Sequence, residues 1–523
     1  MPELLFEIYS EEIPSEVQDF SAGKIFNNML ERLHKLFQKE FKGQYFFTPK
    51  RIGFYILDIP KVVDSISLEI RGPKTTAPKK AIEGFLKKYS LKDISHLIDK
   101  EGYYYYIETS EKKCVKEVIK SIIEEIIKTF VWPKSMRWGK YDIKWIRPIH
   151  SILCSFDKEI IPVNFGHITA SNQTCGKNKI INVDSFATYK QNLEKLGIYI
   201  FQAKRLEIIE TQANNICESL NISMIKDNAL IREVANLVEF PHVTIGKIEE
   251  KFMKLPKEIL ISMLKCHQKY LMTKDSNGNL APYFIIVSNV MTIDNLQTVI
   301  TGNEKVLRSR LSDAEYFYNQ DLKTKLINKF VKLKKITFHH EIGSYYDKIQ
   351  TMKKVALDIA KQIQFDNKDK IERTSLLIKS DLVTEIVNEL PELQGIAGYY
   401  YALNDNEGDD VANAIKEHYL PQGPSDPVPR KALSIIMALA DKIVTLNSMF
   451  EINIKPTGSK DPYALRRAAI GIIRIICSNE LEIKLSHLLN KDVIDFIKER
   501  IGILSNNQKN IYSIDLNYIN NSL

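Results

Sequence analysis

Cysteine is scarce in this chain, and long uninterrupted hydrophobic runs are missing from it. The 523 residues include six cysteines, and no two of them form a Cys-x-x-Cys pair or a disulfide-framework spacing. We therefore expect free thiols and a reducing compartment. No run approaches the roughly 18 to 20 apolar residues that a membrane span requires, and the amino terminus lacks a basic start and a small-residue cleavage site. These absences argue against a membrane or secreted protein, and we expect a cytoplasmic one.

The signature loops of common nucleotide-binding enzymes are missing as well. The sequence contains no G-x-x-x-x-G-K-[ST] phosphate loop and no G-x-G-x-x-G turn after a predicted strand. A look-alike of the H-E-x-x-H zinc motif begins at His340 and Glu341, but Ser344 stands where the second histidine ligand is needed. These observations disfavour a P-loop enzyme, a Rossmann dehydrogenase and a zinc protease.

The composition is that of a soluble protein with several domains. Hydrophobic residues make up 44% of the chain and charged residues 26%, which are ordinary values for a globular protein. The length exceeds the roughly 250 to 300 residues at which single cores stop growing, so we expect three or more domains. The net charge of +8 is small for this length and is weak support for an anionic partner such as nucleic acid.

The pattern of apolar residues predicts an α+β multidomain fold. The runs "LLFEIYS", "RIGFYILDI" and "GYYYYIET" predict strands in the first third, where residues 20–41 have helical spacing. Beyond residue 334 nearly every segment has the periodicity of a helix. We predict mixed α/β N-terminal and middle domains at residues 1–170 and 171–330, an all-helical domain at residues 331–505, and a tail at residues 506–523.

Three polar residues of the helical domain form a faint metal-site pattern. They are His339, Asp381 in "KSDLVT" and Asp441 in "LADKIVT". Metal-dependent phosphohydrolases of the HD type hold a divalent ion with a histidine, an adjacent His-Asp pair and a distant aspartate. Here Ser380 occupies the position of the second histidine. We therefore predict a degenerate HD-like domain without a metal site, and a metal phosphohydrolase is the alternative.

Basic and aromatic side chains alternate in the segments "WPKSMRWG" and "IRPIH". Such a cluster either stacks bases and contacts phosphates, or consists of core tryptophans with basic side chains beside them. Both alternatives stay open at this point. The cluster comprises Trp132, Lys134, Arg137, Trp138, Arg147 and His150.

The segment "GNEKVLRSRLSDAEYFY" predicts an amphipathic helix. Leu307, Leu311, Ala314 and Tyr318 follow one helical stripe. The spacing predicts two ion pairs within the helix, Glu304 with Arg308 and Arg310 with Asp313. Lys305 has no acidic residue three or four positions away within this segment.

Ten segments, in this order and spanning about 500 residues, resemble the beta subunit of the bacterial two-subunit glycyl-tRNA synthetase. They are "EIYSEEIP" from Glu7, "TPKR" from Thr48, "RGPK" from Arg71, "MRWG" from Met136, "RPIH" from Arg147, "LVEFP" from Leu237, "HQKY" from His267, "GNEKVLRSRLSDAEYFY" from Gly302, "ELQGIAGYYYA" from Glu392 and "KDPYALRRAAIGIIRI" from Lys460.

The resemblance implies a tRNA-binding subunit without a catalytic residue, metal site or cofactor of its own. The implied partners are a catalytic alpha subunit, which uses ATP, and the tRNA for glycine, within an alpha2-beta2 assembly. The resemblance also implies a degenerate HD-like domain, on whose pattern Asp381 falls. We predict that basic and aromatic residues of the family segments contact tRNA. These candidates are Arg137, Trp138, Arg147, Lys269, Lys305, Arg308 and Arg310.

The sequence departs from the family pattern in two places. Lys177 and Asn178 stand where the family usually has the histidine and arginine of a Gly-His-Arg-Phe motif. Family members also continue into an anticodon-binding-like domain, and we expect most of that domain to be missing from this sequence. An inert product of a truncated gene is therefore a further alternative.

Overall fold

The computed structural model describes residues 2–63, 67–100, 102–109, 113–141, 143–177, 179–289, 296–458, 460–506 and 517–522. These residues fold into two compact units. The first comprises Met1–Gly246, Thr273–Ala281 and Ile285–Ile300, and the second comprises Lys247–Met272, Pro282–Phe284 and Thr301–Leu523. The predicted combination of mixed α/β and helical regions is confirmed. The boundaries predicted at residues 170 and 330 stay a prediction.

Short strands are concentrated in the first 290 residues. The strands are Glu3–Ser10, Gly43–Phe47, Arg51–Leu57, Val62–Val63, Ser67–Lys74, Leu97–Lys100, Tyr103–Thr109, Lys113–Cys114, Met136–Arg137, Lys144–Trp145, Ile149–Phe156, Glu159–Ile160, Asn164–Phe165, Ile168–Thr169, Gln173–Gly176, Lys179–Asn182, Ser223–Met224, His242–Lys247, Leu271–Lys274, Leu280–Ser288, Thr337–His339 and Gly343–Ser344.

Helices occur throughout the described residues and dominate beyond residue 290. The α-helices are Ser15–Phe37, Lys79–Lys88, Val115–Thr129, Phe186–Lys195, Gln202–Ser219, Asn228–Ala235, Lys257–Ser262, Leu296–Leu322, Leu326–Lys329, Tyr345–Gln362, Lys368–Leu377, Glu385–Glu389, Ile396–Asn404, Asp409–Glu417, Ala432–Glu451, Leu465–Ser478, Lys491–Asn506 and Asn517–Ser522. Most of the predicted tail lies outside the described residues, apart from its last short helix.

A five-stranded antiparallel sheet forms the centre of the first unit. Its central strand, Glu3–Ser10, pairs with Ile149–Phe156 on one side and with Arg51–Leu57 on the other. Leu4, Phe6 and Ile8 belong to the core that contains the helices Ser15–Phe37 and Val115–Thr129. Leu5 belongs to a second core with Tyr189 and Leu193 of the helix Phe186–Lys195. Because both faces of the strand are buried, its sequence is an almost continuous apolar run.

A small module is inserted in the sequence between two short strands of the first unit, Val62–Val63 and Lys113–Cys114, which pair with each other. It consists of a three-stranded antiparallel sheet and the helix Lys79–Lys88. Its central strand is Tyr103–Thr109, flanked by Ser67–Lys74 and Leu97–Lys100. The predicted "GYYYYIET" strand is confirmed at this position.

The core of the second unit is built around the helix Ala432–Glu451. This helix packs against Tyr345–Gln362, Asp409–Glu417 and Leu465–Ser478. It is long and apolar enough to cross a membrane, contrary to the expectation from the apolar runs of the sequence. However, 83% of its most apolar window is buried inside the protein, so it is explained as a core helix. The six cysteines are free thiols, as predicted.

Candidate nucleic-acid interface

The helix Leu296–Leu322 carries the basic segment at residues 302–318. Leu307, Leu311 and Ala314 are buried, so the predicted apolar stripe is confirmed. Lys305, by contrast, is exposed. Arg308 and Arg310 keep 52% and 49% of their side-chain surface exposed, and both guanidinium groups can therefore still meet a ligand.

The two ion pairs predicted within this helix are wrong, because other elements supply the partners. Glu304 Oε1 accepts a hydrogen bond from the Lys247 backbone N–H at 2.8 Å. The Arg308 guanidinium bonds to Glu249 and thereby holds the pKa of that carboxyl below its usual value. Arg310 Nη1 lies 3.6 Å from Glu389 Oε1. The helix charges thus connect elements of the second unit.

The "HQKY" segment meets the start of the same basic segment. The Tyr270 hydroxyl donates to Asn303 Oδ1 at 2.7 Å. His267 Nε2 lies 3.3 Å from Glu392 Oε1, and Ser262 Oγ also donates to this carboxylate. Lys269 adopts a left-handed backbone conformation with φ of 57° and is half-buried. Lys269, Lys305, Arg308 and Arg310 therefore belong to one contiguous part of the second unit.

Arg137, Trp138 and Arg147 lie in the first unit. Arg137 is an exposed residue of a two-stranded ribbon formed by Met136–Arg137 and Lys144–Trp145. The Trp138 indole N–H donates to His167 Nδ1 at 3.2 Å, and the two rings stack with centroids 5.8 Å apart. Arg147 is exposed and donates from Nε to the Glu12 carbonyl at 3.0 Å.

The structure resolves the two alternatives left open for the tryptophans of this region. Trp132 and Trp145 are buried in the core of the first unit, with ring centroids 4.9 Å apart. Trp132 is therefore a core residue and not a platform for bases. Lys134, Arg137, Arg147 and His150 remain at the surface, beside the partly buried Trp138.

The three HD positions make structural contacts in the second unit. Asp441 Oδ1 lies 2.8 Å from Lys348 Nζ and 3.3 Å from Lys379 Nζ. Burial alone would raise the pKa of Asp441, but the two ammonium groups hold it well below its usual value. Asp381 Oδ2 accepts hydrogen bonds from the N–H groups of two glycines, Gly395 at 2.5 Å and Gly398 at 3.3 Å, and burial raises its pKa to about 6.

His339 is buried, and its Nδ1 accepts a hydrogen bond from the Glu341 backbone N–H at 3.3 Å. Nowhere in the described part of the chain do three or more His, Cys, Asp or Glu side chains form a group that could hold a metal ion. Lysines thus occupy the surroundings of Asp441, where an HD enzyme needs a metal. Lys379 directly precedes Ser380 in the sequence and was the available signal for this replacement.

A buried ionic network in the first unit was not predicted. Arg51 donates from Nε to Glu239 Oε1 at 2.9 Å and from Nη1 to Glu7 Oε2 at 3.0 Å. Thr48 donates to Glu239 Oε1 at 2.6 Å, and Tyr189 also donates to Glu7. Burial alone would lower the pKa of Arg51, but Glu239 and Glu7 hold it well above its ordinary value. A glutamate inside the apolar run "LLFEIYS" was the signal for this network.

Comparison with known proteins decides the family. A family model described as "Glycyl-tRNA synthetase beta subunit" matches residues 4–516. A Rickettsia felis protein named "Glycine--tRNA ligase beta subunit" is 42% identical over 544 residues, which cover 99% of this chain and 81% of the relative. Proteins of the same name from Rickettsia bellii and Rickettsia canadensis are 44% and 43% identical, over 99% of this chain and 81% and 79% of their own lengths.

The chain belongs to the glycyl-tRNA synthetase beta-subunit family. The predicted family membership is thereby confirmed.

Several family segments of this beta subunit meet in the fold. "EIYSEEIP", "TPKR" and "LVEFP" contribute Glu7, Arg51 and Glu239 to one buried network. "HQKY" and "ELQGIAGYYYA" meet through His267 and Glu392. These segments of the beta subunit therefore contain residues that stabilise the interior of each unit: the first three segments within the first unit, the other two within the second.

The departure from the Gly-His-Arg-Phe motif of the beta-subunit family is only partly described. Lys177 Nζ lies 4.7 Å from the centroid of the Phe240 ring, a cation–π contact inside the first unit. Asn178 lies outside the described residues. The tRNA contacts of the seven candidate residues of this beta subunit stay a prediction.

Proposed function

We propose that this chain is the tRNA-binding, non-catalytic subunit of a glycine–tRNA ligase. It supports the ATP-dependent attachment of glycine to the tRNA for glycine by a separate alpha subunit. The observation that carries the proposal is the family match over residues 4–516, together with identities above 40% to proteins named as this subunit.

ATP and glycine are used by the alpha subunit in this proposal, and the beta chain needs no cofactor. The two kinds of subunit form an alpha2-beta2 assembly in the cytoplasm. The role of this chain is to bind tRNA, and the exposed basic side chains of its second unit support that role. Arg308 and Arg310 keep about half of their side-chain surface open while anchored to Glu249 and Glu389, so they are oriented without being covered.

Reconstitution of glycylation tests the proposal. The chain is mixed with its alpha subunit, ATP, radiolabelled glycine and the tRNA for glycine, and charged tRNA is counted. We expect stimulation well above the alpha subunit alone, and none with a tRNA for another amino acid. Equal charging with and without the chain would refute the proposal and favour the inert product of a truncated gene.

The assembly has its own measurement. Light scattering on the co-purified complex should give the mass of two copies of each subunit. A single beta chain per complex would contradict alpha2-beta2 without affecting the glycylation result. The phosphohydrolase alternative has no observation in its favour, because lysines neutralise Asp441.

A further inference from the structure

The small module at residues 67–109 presents one sheet face with aromatic rings in its middle. On its central strand, Tyr103 pairs with Lys74 on one side and with Lys100 on the other. Tyr105 pairs with Arg71 of the first edge strand. Residues directly opposite each other in an antiparallel pair point to the same face, and residues two apart on a strand do so too. These two tyrosines and three cations therefore share a face, which we call the tyrosine face.

Contacts between the side chains support this arrangement. The Arg71 guanidinium carbon lies 3.8 Å from the centroid of the Tyr103 ring, and Lys74 Nζ lies 5.7 Å from it. Lys100 Nζ lies 6.0 Å from the centroid of the Tyr105 ring. Cations from both edge strands thus surround the two rings, and all three of these basic residues are exposed.

The helix of the module covers the opposite face. Tyr106, which alternates with Tyr105, lies against Tyr89 at the end of the helix Lys79–Lys88, with ring centroids 5.5 Å apart. Phe85 of this helix approaches Gly72 so closely that a Cβ there would lie 2.9 Å from the ring. Over residues 70–100 and 102–106, Ile82 is the one side chain that is buried. Within these residues the module is therefore one sheet covered by one helix, and its tyrosine face is not packed into a core of the module.

We propose that the tyrosine face binds unpaired nucleotides of an RNA strand. Tyrosine rings stack on bases, and arginine and lysine contact the phosphates that connect them. Side chains of this kind cannot read the deep major groove of an RNA duplex. The two tyrosines are about 7 Å apart along the strand, against about 3.4 Å between stacked bases, so bases that are splayed apart reach both rings.

This inference rests on the proposed function in one respect, because it takes tRNA as the natural source of the unpaired nucleotides. An acidic protein segment would also match three cations, but its carboxylates do not stack on tyrosine rings as nucleotide bases do. The test therefore includes an acidic peptide as a competing occupant.

Fluorescence anisotropy with the full-length chain tests the tyrosine face. The probes are a labelled uridine hexanucleotide, an RNA hairpin with a minimal loop, and a polyglutamate peptide. We expect the hexanucleotide to bind, and Tyr103→Ala and Tyr105→Ala each to weaken it about 5- to 150-fold, the range found for loss of one stacked base. Tyr103→Phe keeps the ring and should bind within twofold of the wild type.

Charge variants keep the test meaningful if an alanine variant disturbs the module. Arg71→Gln and Lys100→Gln should each flatten the dependence of log affinity on log salt by about 0.7 for every phosphate contact that is lost. The matched control is Lys80→Ala, which removes the same charge from the exposed surface of the module's helix and should leave the hexanucleotide affinity unchanged.

Unchanged hexanucleotide binding in both tyrosine-to-alanine variants would overturn the inference. So would equal affinity for the hairpin or for polyglutamate. Parallel glycylation assays separate the two proposals. If the wild type stimulates glycylation but the variants bind the hexanucleotide normally, the tyrosine face alone is refuted. If the variants lose hexanucleotide binding but the wild type stimulates no glycylation, the tyrosine face stands and the proposed function fails.

Discussion

The substitution Arg51→Met should strongly destabilise the first unit. Arg51 and Glu7 each expose 1% of their side chains, and Glu239 exposes 8%. Removing the guanidinium leaves two carboxylates in the core without their cation. Breaking a buried pair in this way costs about 3 to 5 kcal/mol, because the remaining charge stays out of water. Because two carboxylates are left without a cation, we expect a loss of stability at the upper end of that range.

Urea unfolding followed by tryptophan fluorescence measures this loss. The three tryptophans, Trp132, Trp138 and Trp145, all lie in the first unit, so their emission reports on that unit. With an m-value of about 3 kcal/mol per molar urea, a loss of 3 to 5 kcal/mol lowers the midpoint by about 1 to 1.7 M.

The matched control is Arg32→Met. Arg32 forms two hydrogen bonds to Glu125 in the same unit, at 2.5 and 2.8 Å, but the two side chains are 34% and 55% exposed. An exposed pair contributes about 0 to 1 kcal/mol, so the midpoint should fall by no more than about 0.3 M. If both substitutions shift the midpoint equally, the reasoning about the buried network is wrong.

Three further predictions concern the second unit. Lys305→Ala and Arg308→Ala should each raise the KM for tRNA in the glycylation assay and flatten the salt dependence of that KM. The control Lys361→Ala, at an exposed lysine of another helix, should change neither quantity. Unchanged kinetics in the first two variants would leave these charges only a structural role. Burial lowers the pKa of Lys379 to about 7. Between about pH 7 and pH 10 the lysine is therefore protonated in the unfolded chain but neutral in the folded chain. The free energy of unfolding should consequently rise with pH in that window. Lys379→Met should reduce this rise in thermal melts followed by circular dichroism, and an unaltered pH slope would contradict the assignment. Asp381→Ala should lower the free energy of unfolding by about 1 to 3 kcal/mol, because two buried backbone N–H groups lose their acceptor. The content of bound divalent metal should not change, and a loss of metal would instead favour the phosphohydrolase.

Local periodicity explains which features were predictable. The strand at residues 3–10 and the stripe of Leu307, Leu311 and Ala314 were predicted because burial repeats at the period of the element itself. A few neighbouring residues therefore contain the information. The same holds for the missing histidine at Ser380, since the HD pattern requires two adjacent residues. The order of the family segments is likewise a property of the sequence.

Ion-pair partners were not predictable in this way. Spacing alone paired Glu304 with Arg308, but the fold offers Arg308 a carboxylate at Glu249, 59 residues away. Spacing also left two alternatives for Trp132, which burial in the core resolved.

The sequence by itself determined the family, the fold class and the faces that its helices and strands bury, because each of these follows from residues that are neighbours or stand in a fixed order. Only the tertiary structure decided which charged side chains pair with each other. Arg51 meets Glu239 across 188 residues, and Asp441 meets lysines from two other segments. A charge finds its partner through space, and the cost of leaving it unpaired in a buried site acts only once the chain has folded around it.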